Sequence, residues 1–145
     1  MVMNVNVKRL SDQIALPAYA TAGAAGFDVC AAEDVTLAPG EVTAVPLGLA
    51  FEIPEGYVMY LMPRSGLSKK TKLRQPNSVG VIDSDYRGEV KLLLENTDSK
   101  ESYHIETGDR IGQGVIQEVP HVDFVEADEL SETKRGSGGF GSTGV

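Results

Sequence analysis

PGEVTAVPLGLAFEIPEGYVMYLMPRSG, running from Pro39 to Gly66, is interrupted by proline or glycine at residues 39–40, 46, 48, 54, 56, 63 and 66. Proline cannot donate a backbone hydrogen bond and glycine loses the most entropy on ordering, so no long helix survives these breaks. The runs between them, Val42–Leu47 and Tyr57–Met62, are rich in β-branched and aromatic residues and are expected strands. Outward from this stretch, Pro76, Gly80, Gly88 and Gly108 continue the punctuation, and Phe27–Ala31, Glu89–Leu94 and Ile111–Val119 add strand-like runs. Val90, Leu92 and Leu94 fall on one face of a strand, with Lys91, Leu93 and Glu95 on the other. Helical signals are confined to Ser65–Lys70 and Glu126–Leu130, a turn or two each. Short strands at this spacing predict an all-β sandwich or closed barrel.

The whole chain has 145 residues, suited to one domain with a real core. Its 13 Lys and Arg against 21 Asp and Glu leave a net charge of −8, which argues against nucleic acid as a partner. No apolar run reaches the ~20 residues that span a bilayer, so no membrane partner is expected, and the start, MVMNVNVKRL, lacks a signal-peptide core. The single cysteine, Cys30, excludes an internal disulfide and fits a reducing, cytoplasmic setting (or nuclear, in a eukaryote). It lies in the apolar run Val29–Ala32 and reads as a small core or interface residue.

The composition shifts at the C-terminus, where GSGGFGSTGV (Gly136–Val145) has no aliphatic core residue before its last position. The boundary expected from this is a β domain over residues 1–134 and a mobile tail over 135–145. Gly136, Gly138 and Gly141 satisfy G-x-G-x-x-G, but no βαβ context surrounds them. The spacing also suits a phosphate loop, except that Ser142 stands where lysine is required. What is left is a run of backbone N–H groups and hydroxyls able to wrap oxyanions. The two histidines, His104 and His121, have no ligand-like spacing and read as surface residues, and without Cys-x-x-Cys or His-x-Glu a zinc-dependent base deaminase is excluded.

Three further segments combine polar groups with glycine: Ala25-Gly26-Phe27-Asp28, Pro63-Arg64-Ser65-Gly66-Leu67, and Gly80-Val81-Ile82-Asp83-Ser84-Asp85-Tyr86-Arg87-Gly88. The last reads as a β-hairpin with an acidic turn. Each alone has a structural explanation as a turn aspartate, a helix cap or a polar hairpin tip. Together with Gly108-Asp109-Arg110-Ile111-Gly112-Gln113 and Arg135–Gly144, in this order, they resemble the five motifs of the trimeric dUTP diphosphatase (dUTPase) family.

That resemblance implies a jelly-roll-like, distorted β-barrel or sandwich that forms a homotrimer with active sites between subunits. It implies hydrolysis of dUTP to dUMP and pyrophosphate with Mg²⁺, which limits uracil in DNA and supplies dUMP for thymidylate synthesis. Asp83 resembles the general base that activates water for in-line attack on the α-phosphorus. Tyr86 resembles the residue that packs on deoxyribose and excludes a 2′-hydroxyl, and Asn77 with the backbone after it resembles the uracil pocket. Asp85 is expected to be a surface residue. Arg64, Ser65, Gly66 and Gln113 resemble phosphate ligands, and Asp28 the acid that holds waters around Mg²⁺. Arg135, Gly138, Phe140, Gly141 and Ser142 resemble a closing tail in which Phe140 stacks on uracil and Arg135 meets the γ-phosphate.

Two departures stand out. Lys69, Lys70 and Lys72 make the stretch after the arginine-serine motif unusually basic, and they are expected to form a solvated face. Gly112 and Gly114 suggest close backbone approach, with the trimer axis as a candidate. The competing readings are a dCTP deaminase-like enzyme of the same fold and a trimer with a regulatory protein-binding role.

Overall fold

Alternation between Val90 and Glu95 is matched by burial: Val90, Leu92 and Leu94 lie in the core while Lys91 is exposed. In the computed structural model, which describes residues 2–144, the strands are β1 (Asn6–Arg9), β2 (Phe27–Cys30), β3 (Val35–Leu37), β4 (Val42–Pro46), β5 (Leu49–Glu52) and β6 (Tyr57–Met62). A short helix α1 (Ser65–Lys70) follows, then β7 (Leu73–Arg74), β8 (Gly80–Ile82), β9 (Lys91–Asn96), β10 (Tyr103–Ile105) and β11 (Arg110–Glu118). All pairing is antiparallel. The largest sheet has the order β2-β11-β6-β8, the next β4-β9-β7, and two ribbons pair β1 with β5 and β10 with β3.

The result is a jelly-roll-like all-β fold whose sheets enclose one core without closing into a barrel. Leu37, Leu47, Met59, Leu61, Leu92 and Ile111 are among its fully buried side chains. Asn96, also buried, donates to the carbonyls of Leu37 at 3.0 Å and Glu101 at 2.8 Å, so its amide costs little to bury. Gly48 turns the chain between β4 and β5 with φ +69°, and a side chain there would press on Ile14 and Ala32. No helix among the described residues is long and apolar enough to cross a membrane.

The differences from the sequence expectation have physical causes. The ribbons use strands of three or four residues, whose ladder comes from a distant partner and not from local propensity. Gly80–Gly88 is not a hairpin. β8 pairs with β6, whereas β9 pairs with β4 and β7, so the segment crosses between sheets. Val90 is drawn to the other side because its N–H bonds Leu49 and its carbonyl receives Leu47 N–H. Helix α1 has the bounds expected, closed by Thr71, whose N–H and hydroxyl both bond the Leu67 carbonyl. Glu126–Leu130 forms no helix, since residues 120–137 are exposed and offer no face to bury.

Candidate active site

The first cluster of site residues gathers where β2, β11 and the end of β6 meet. Register pairs Gln113 on β11 with Asp28 on β2 and with Met62 on β6. The Asp28 carboxylate lies between two guanidiniums, 2.9 Å from Arg64 Nε and 3.5 Å from Arg110 Nη1. Arg64 also donates to the Arg110 carbonyl at 3.5 Å. Gln113 Nε2 donates to the Pro63 carbonyl at 2.8 Å, which joins β11 to the turn that carries Arg64, Ser65 and Gly66. Gly26 makes room for this amide, because a Cβ there would lie 2.6 Å from Gln113 Oε1. Cys30, paired in register with Arg110, has its thiol pushed up by burial and by Asp28, so it is poorly suited to act as a nucleophile.

A β-bulge turns the polar Gln113 out of the core, although strict alternation from buried Ile111 would point it inward. Arg110 pairs with Cys30 and Gly112 with Val29, leaving Ile111 as the extra residue. Beyond the bulge, buried Gly112 and Gly114 alternate with half-buried Gln113 and Val115. Both glycines allow close approach of neighbouring groups of their own chain. A Cβ on Gly112 would strike Leu92, and one on Gly114 would strike the Phe27 ring.

The second cluster is the turn after β8. Tyr86 N–H bonds the Asp83 carbonyl at 3.2 Å, and its hydroxyl donates to the Glu89 carbonyl at 2.8 Å. Gly88 lets the tyrosine fold back, since a Cβ there would sit 2.5 Å from the hydroxyl. Asp83 and Tyr86 share a cleft of about 250 Å³ with Ile82, Glu89 and Lys91. On its other side Asp83 borders a larger cleft of about 860 Å³ with Tyr57, Tyr60, Asp85 and His121. Asn77 lines neither cleft and stays exposed in the β7–β8 turn.

The two clusters do not meet within one chain. Antiparallel register sets Ile82 against Met59 and Gly80 against Leu61, so Asp83 emerges beside the start of β6, whereas Arg64 follows its end. Six residues of extended chain separate those positions, about 20 Å.

The tail is a third, separate group. Arg135 Nε donates to the Gly138 carbonyl at 2.8 Å, and Ser142 N–H bonds the Gly139 carbonyl at 3.1 Å. Gly138 packs against the Ser142 hydroxyl, Gly141 has φ +82°, and Phe140 is fully exposed with φ +53°. Among the described residues the tail's one hydrogen bond to the body runs from Gly136 N–H to the hydroxyl of the adjoining Thr133 at 3.0 Å, and Val145, its last position, lies outside them. His104 and His121 are both exposed, and no group of His, Cys, Asp and Glu among the described residues could by itself hold a metal. Lys69 and Lys70 are solvated, while Lys72 pairs with Asp98 at 3.0 Å.

Sequence reasoning left Arg110, Gly26 and Gly88 without roles. Arg110 and Gly88 stood inside segments dense in charge and glycine, which was the available signal. Gly26 becomes readable only once β2 and β11 are paired.

The dUTPase family profile matches residues 12–144. A deoxyuridine 5'-triphosphate nucleotidohydrolase of Nautilia profundicola is 49% identical over 142 residues, covering 98% of this chain and 99% of the relative. Its counterpart in Thermobifida fusca is also 49% identical, over 98% of this chain and 79% of the relative. Among solved structures, the Staphylococcus bacteriophage 80alpha dUTPase with dUPNHPP superposes with a TM-score of 0.91 at 33% identity, covering 99% of this chain and 100% of that one. A mutant dUTPase of phage phi11 of S. aureus, described with a structural Mg(II) ion, gives 0.82 at 27% identity, covering 88% and 99%.

Proposed function

The chain belongs to the dUTPase family and is a dUTP diphosphatase; from that premise we propose that it works as a homotrimer, with Asp83 as general base in sites shared between subunits. The observation that carries this reading is the placement of Asp83 and Tyr86 on one turn, with the arginine cluster at the far end of β6. Asp83 takes a proton from water as that water attacks the α-phosphorus in line. The bond from the α-phosphorus to the bridging oxygen breaks, giving dUMP and pyrophosphate. General-base assistance of this kind is worth ~10²–10⁴ in rate.

Tyr86 packs on deoxyribose and leaves no space for a 2′-hydroxyl. Asn77 and the backbone after it line the uracil pocket, where unpaired donors reject cytosine and bulk rejects thymine. Arg64 has its Nε committed to Asp28 and its Nη1 to the Arg110 carbonyl, leaving Nη2 to join Ser65, Gly66 and Gln113 on the phosphate chain. Asp28 is one carboxylate with lone pairs left after its two guanidinium contacts. That donor set suits Mg²⁺ held by substrate oxygens and waters, with Asp28 bonding a water. When bound, the ion neutralises part of the triphosphate charge.

Residues 1–134 form the body, and residues 135–145 close over the nucleotide, with Phe140 on uracil and Arg135 at the γ-phosphate. Stacking gives ~1–3 kcal/mol, and ordering each residue costs ~1–2 kcal/mol. Hydrogen bonds from Gly138, Gly141 and Ser142 to phosphate must therefore contribute to closure. The trimer is supported by the exposed apolar side chains of Val122, Phe124, Val125 and Leu130 along the segment before the tail, which await a partner surface. This activity would limit uracil in DNA and supply dUMP.

Pyrophosphate release from dUTP, dTTP, dCTP and UTP with Mg²⁺, for wild type and Asp83→Asn, tests the reading. Selective hydrolysis of dUTP that collapses in the variant is expected. Equal rates across nucleotides overturn the pocket, and an active variant overturns the base.

A further inference from the structure

Arg87 lies next to Tyr86, yet its guanidinium is turned onto its own loop. Nη1 donates to the Ser84 carbonyl at 2.7 Å and to the Tyr86 carbonyl at 3.2 Å. Nη2 faces Glu52 Oε1 at 3.6 Å. Glu52 in turn accepts a hydrogen bond from Asn6 Nδ2 at 2.7 Å through its other oxygen, and Asn6 and Glu52 are register partners in the β1–β5 ribbon. One planar fork therefore fastens two carbonyls of the turn and ties the turn to a neighbouring sheet.

The turn needs such a fastening. Residues 83–90 lie outside any strand and cross from one sheet to another. Their own backbone supplies the Tyr86-to-Asp83 bond at 3.2 Å, and the tyrosine hydroxyl adds its bond to Glu89. Without a further constraint the Asp83 carboxylate and the Tyr86 ring would sample a range of positions, and small displacements of reacting groups are costly in rate. Lysine can take over only part of the role, because an ammonium group is a single point charge on a flexible stem.

We propose that Arg87 is a positioning residue that holds the Asp83–Tyr86 turn in its working geometry, anchored through Glu52 and Asn6 to the β1–β5 ribbon. The proposal rests on the reading of Asp83 as base and Tyr86 as the sugar-selecting residue. Both partners of the Arg87–Glu52 pair are half exposed, and ion pairs of that kind contribute little to global stability. The effect of breaking it should therefore appear in turnover and sugar selection, not in folding.

The experiment measures kcat and KM for dUTP and for UTP, together with melting temperature, in Arg87→Ala, Arg87→Lys, Glu52→Gln and Asp83→Asn. Arg87→Ala is expected to lower kcat for dUTP about tenfold and to narrow the preference for dUTP over UTP, with melting little changed. Arg87→Lys should recover only part of both losses, and Glu52→Gln should show the same two effects more weakly. A fall in active fraction with unchanged sugar preference would mean a purely structural role and would overturn the proposal. So would wild-type kcat and preference in Arg87→Ala beside an inactive Asp83→Asn, a result that leaves the base assignment standing. An active Asp83→Asn removes the underlying reading itself. If Arg87→Ala does not fold, Arg87→Lys and Glu52→Gln decide, and wild-type values in both overturn the proposal.

Discussion

Asp83 is an exposed carboxylate on a turn, so its replacement by asparagine removes a proton acceptor without disturbing the core. Pyrophosphate release by Asp83→Asn is expected to fall ~10²–10⁴-fold, with an unchanged circular-dichroism melt. Gly114 is the opposite kind of residue. Its Cα faces the Phe27 ring, which is held edge-on by Tyr19 at 5.8 Å and stacked on Phe51 at 6.3 Å. Moving the ring disturbs both aromatic contacts, so Gly114→Ala should destabilise by about 1–3 kcal/mol, read by urea unfolding. Both sites were visible in the sequence, but for different reasons. The motif around Asp83 is a local chemical pattern, and it could be read directly. The demand for glycine at 114 depends on an aromatic ring more than eighty residues earlier, so the sequence showed only that something came close. Gln113 is intermediate: its polarity was legible, but the bulge at Ile111 that turns it out of the core was not.

Strands declared themselves where a β-rich run was bounded by turn residues, as in β6, or where alternation was sustained, as in β9, and stayed hidden where pairing alone made them. The three-residue β8 shows why the acidic segment was misread as a hairpin: its partner precedes it, and β9 answers to different strands. The tail stands apart by its glycine-rich composition. Among the described residues no hydrophobic side chain beyond Ile116 packs on the core, so deletion of residues 136–145 should leave thermal unfolding unchanged while greatly reducing turnover. Full activity in the truncated chain would remove the tail from the mechanism. The β9–β10 connection carries a separate, pH-dependent element. Asp98 accepts the N–H groups of Lys100 and Glu101 at 2.8 and 3.1 Å and pairs with Lys72, which together hold its carboxyl down to about 2. The ordinary carboxyl value is ~3.9, so the lower folded value favours the native state above that pH. This contribution is lost as pH falls through about 2. Asp98→Asn should flatten the acid limb of the stability curve in that window, measured by denaturation at stepped pH.

At the scale of the molecule, an acidic chain of net charge −8 must draw in a triphosphate that is itself an anion. On the proposed roles attraction is local, set by Arg64 and Arg135 over roughly a Debye length of ~8 Å. Locality makes the distance between the clusters decisive. Asp83, beside the start of β6, and Arg64, after its end, lie about 20 Å apart along the extended strand, while attack at the α-phosphorus requires base and phosphate ligands around one substrate. With the roles proposed above, a single chain would not bring the two together, whereas a closed homotrimer would, by presenting the Asp83 turn of one subunit to the Arg64 end of another. Complementation follows from this arrangement. Asp83→Asn and Arg64→Ala trimers, each inactive, should stay inactive when mixed as assembled proteins. After unfolding and refolding together, a site is intact when it draws Asp83 from an Arg64→Ala subunit and Arg64 from an Asp83→Asn subunit. Random assortment at equal amounts makes roughly a quarter of the sites intact, and pyrophosphate release should return to that share of the wild-type rate. No recovery after co-refolding, with trimers verified by sedimentation, would mean that base and phosphate ligands come from one chain.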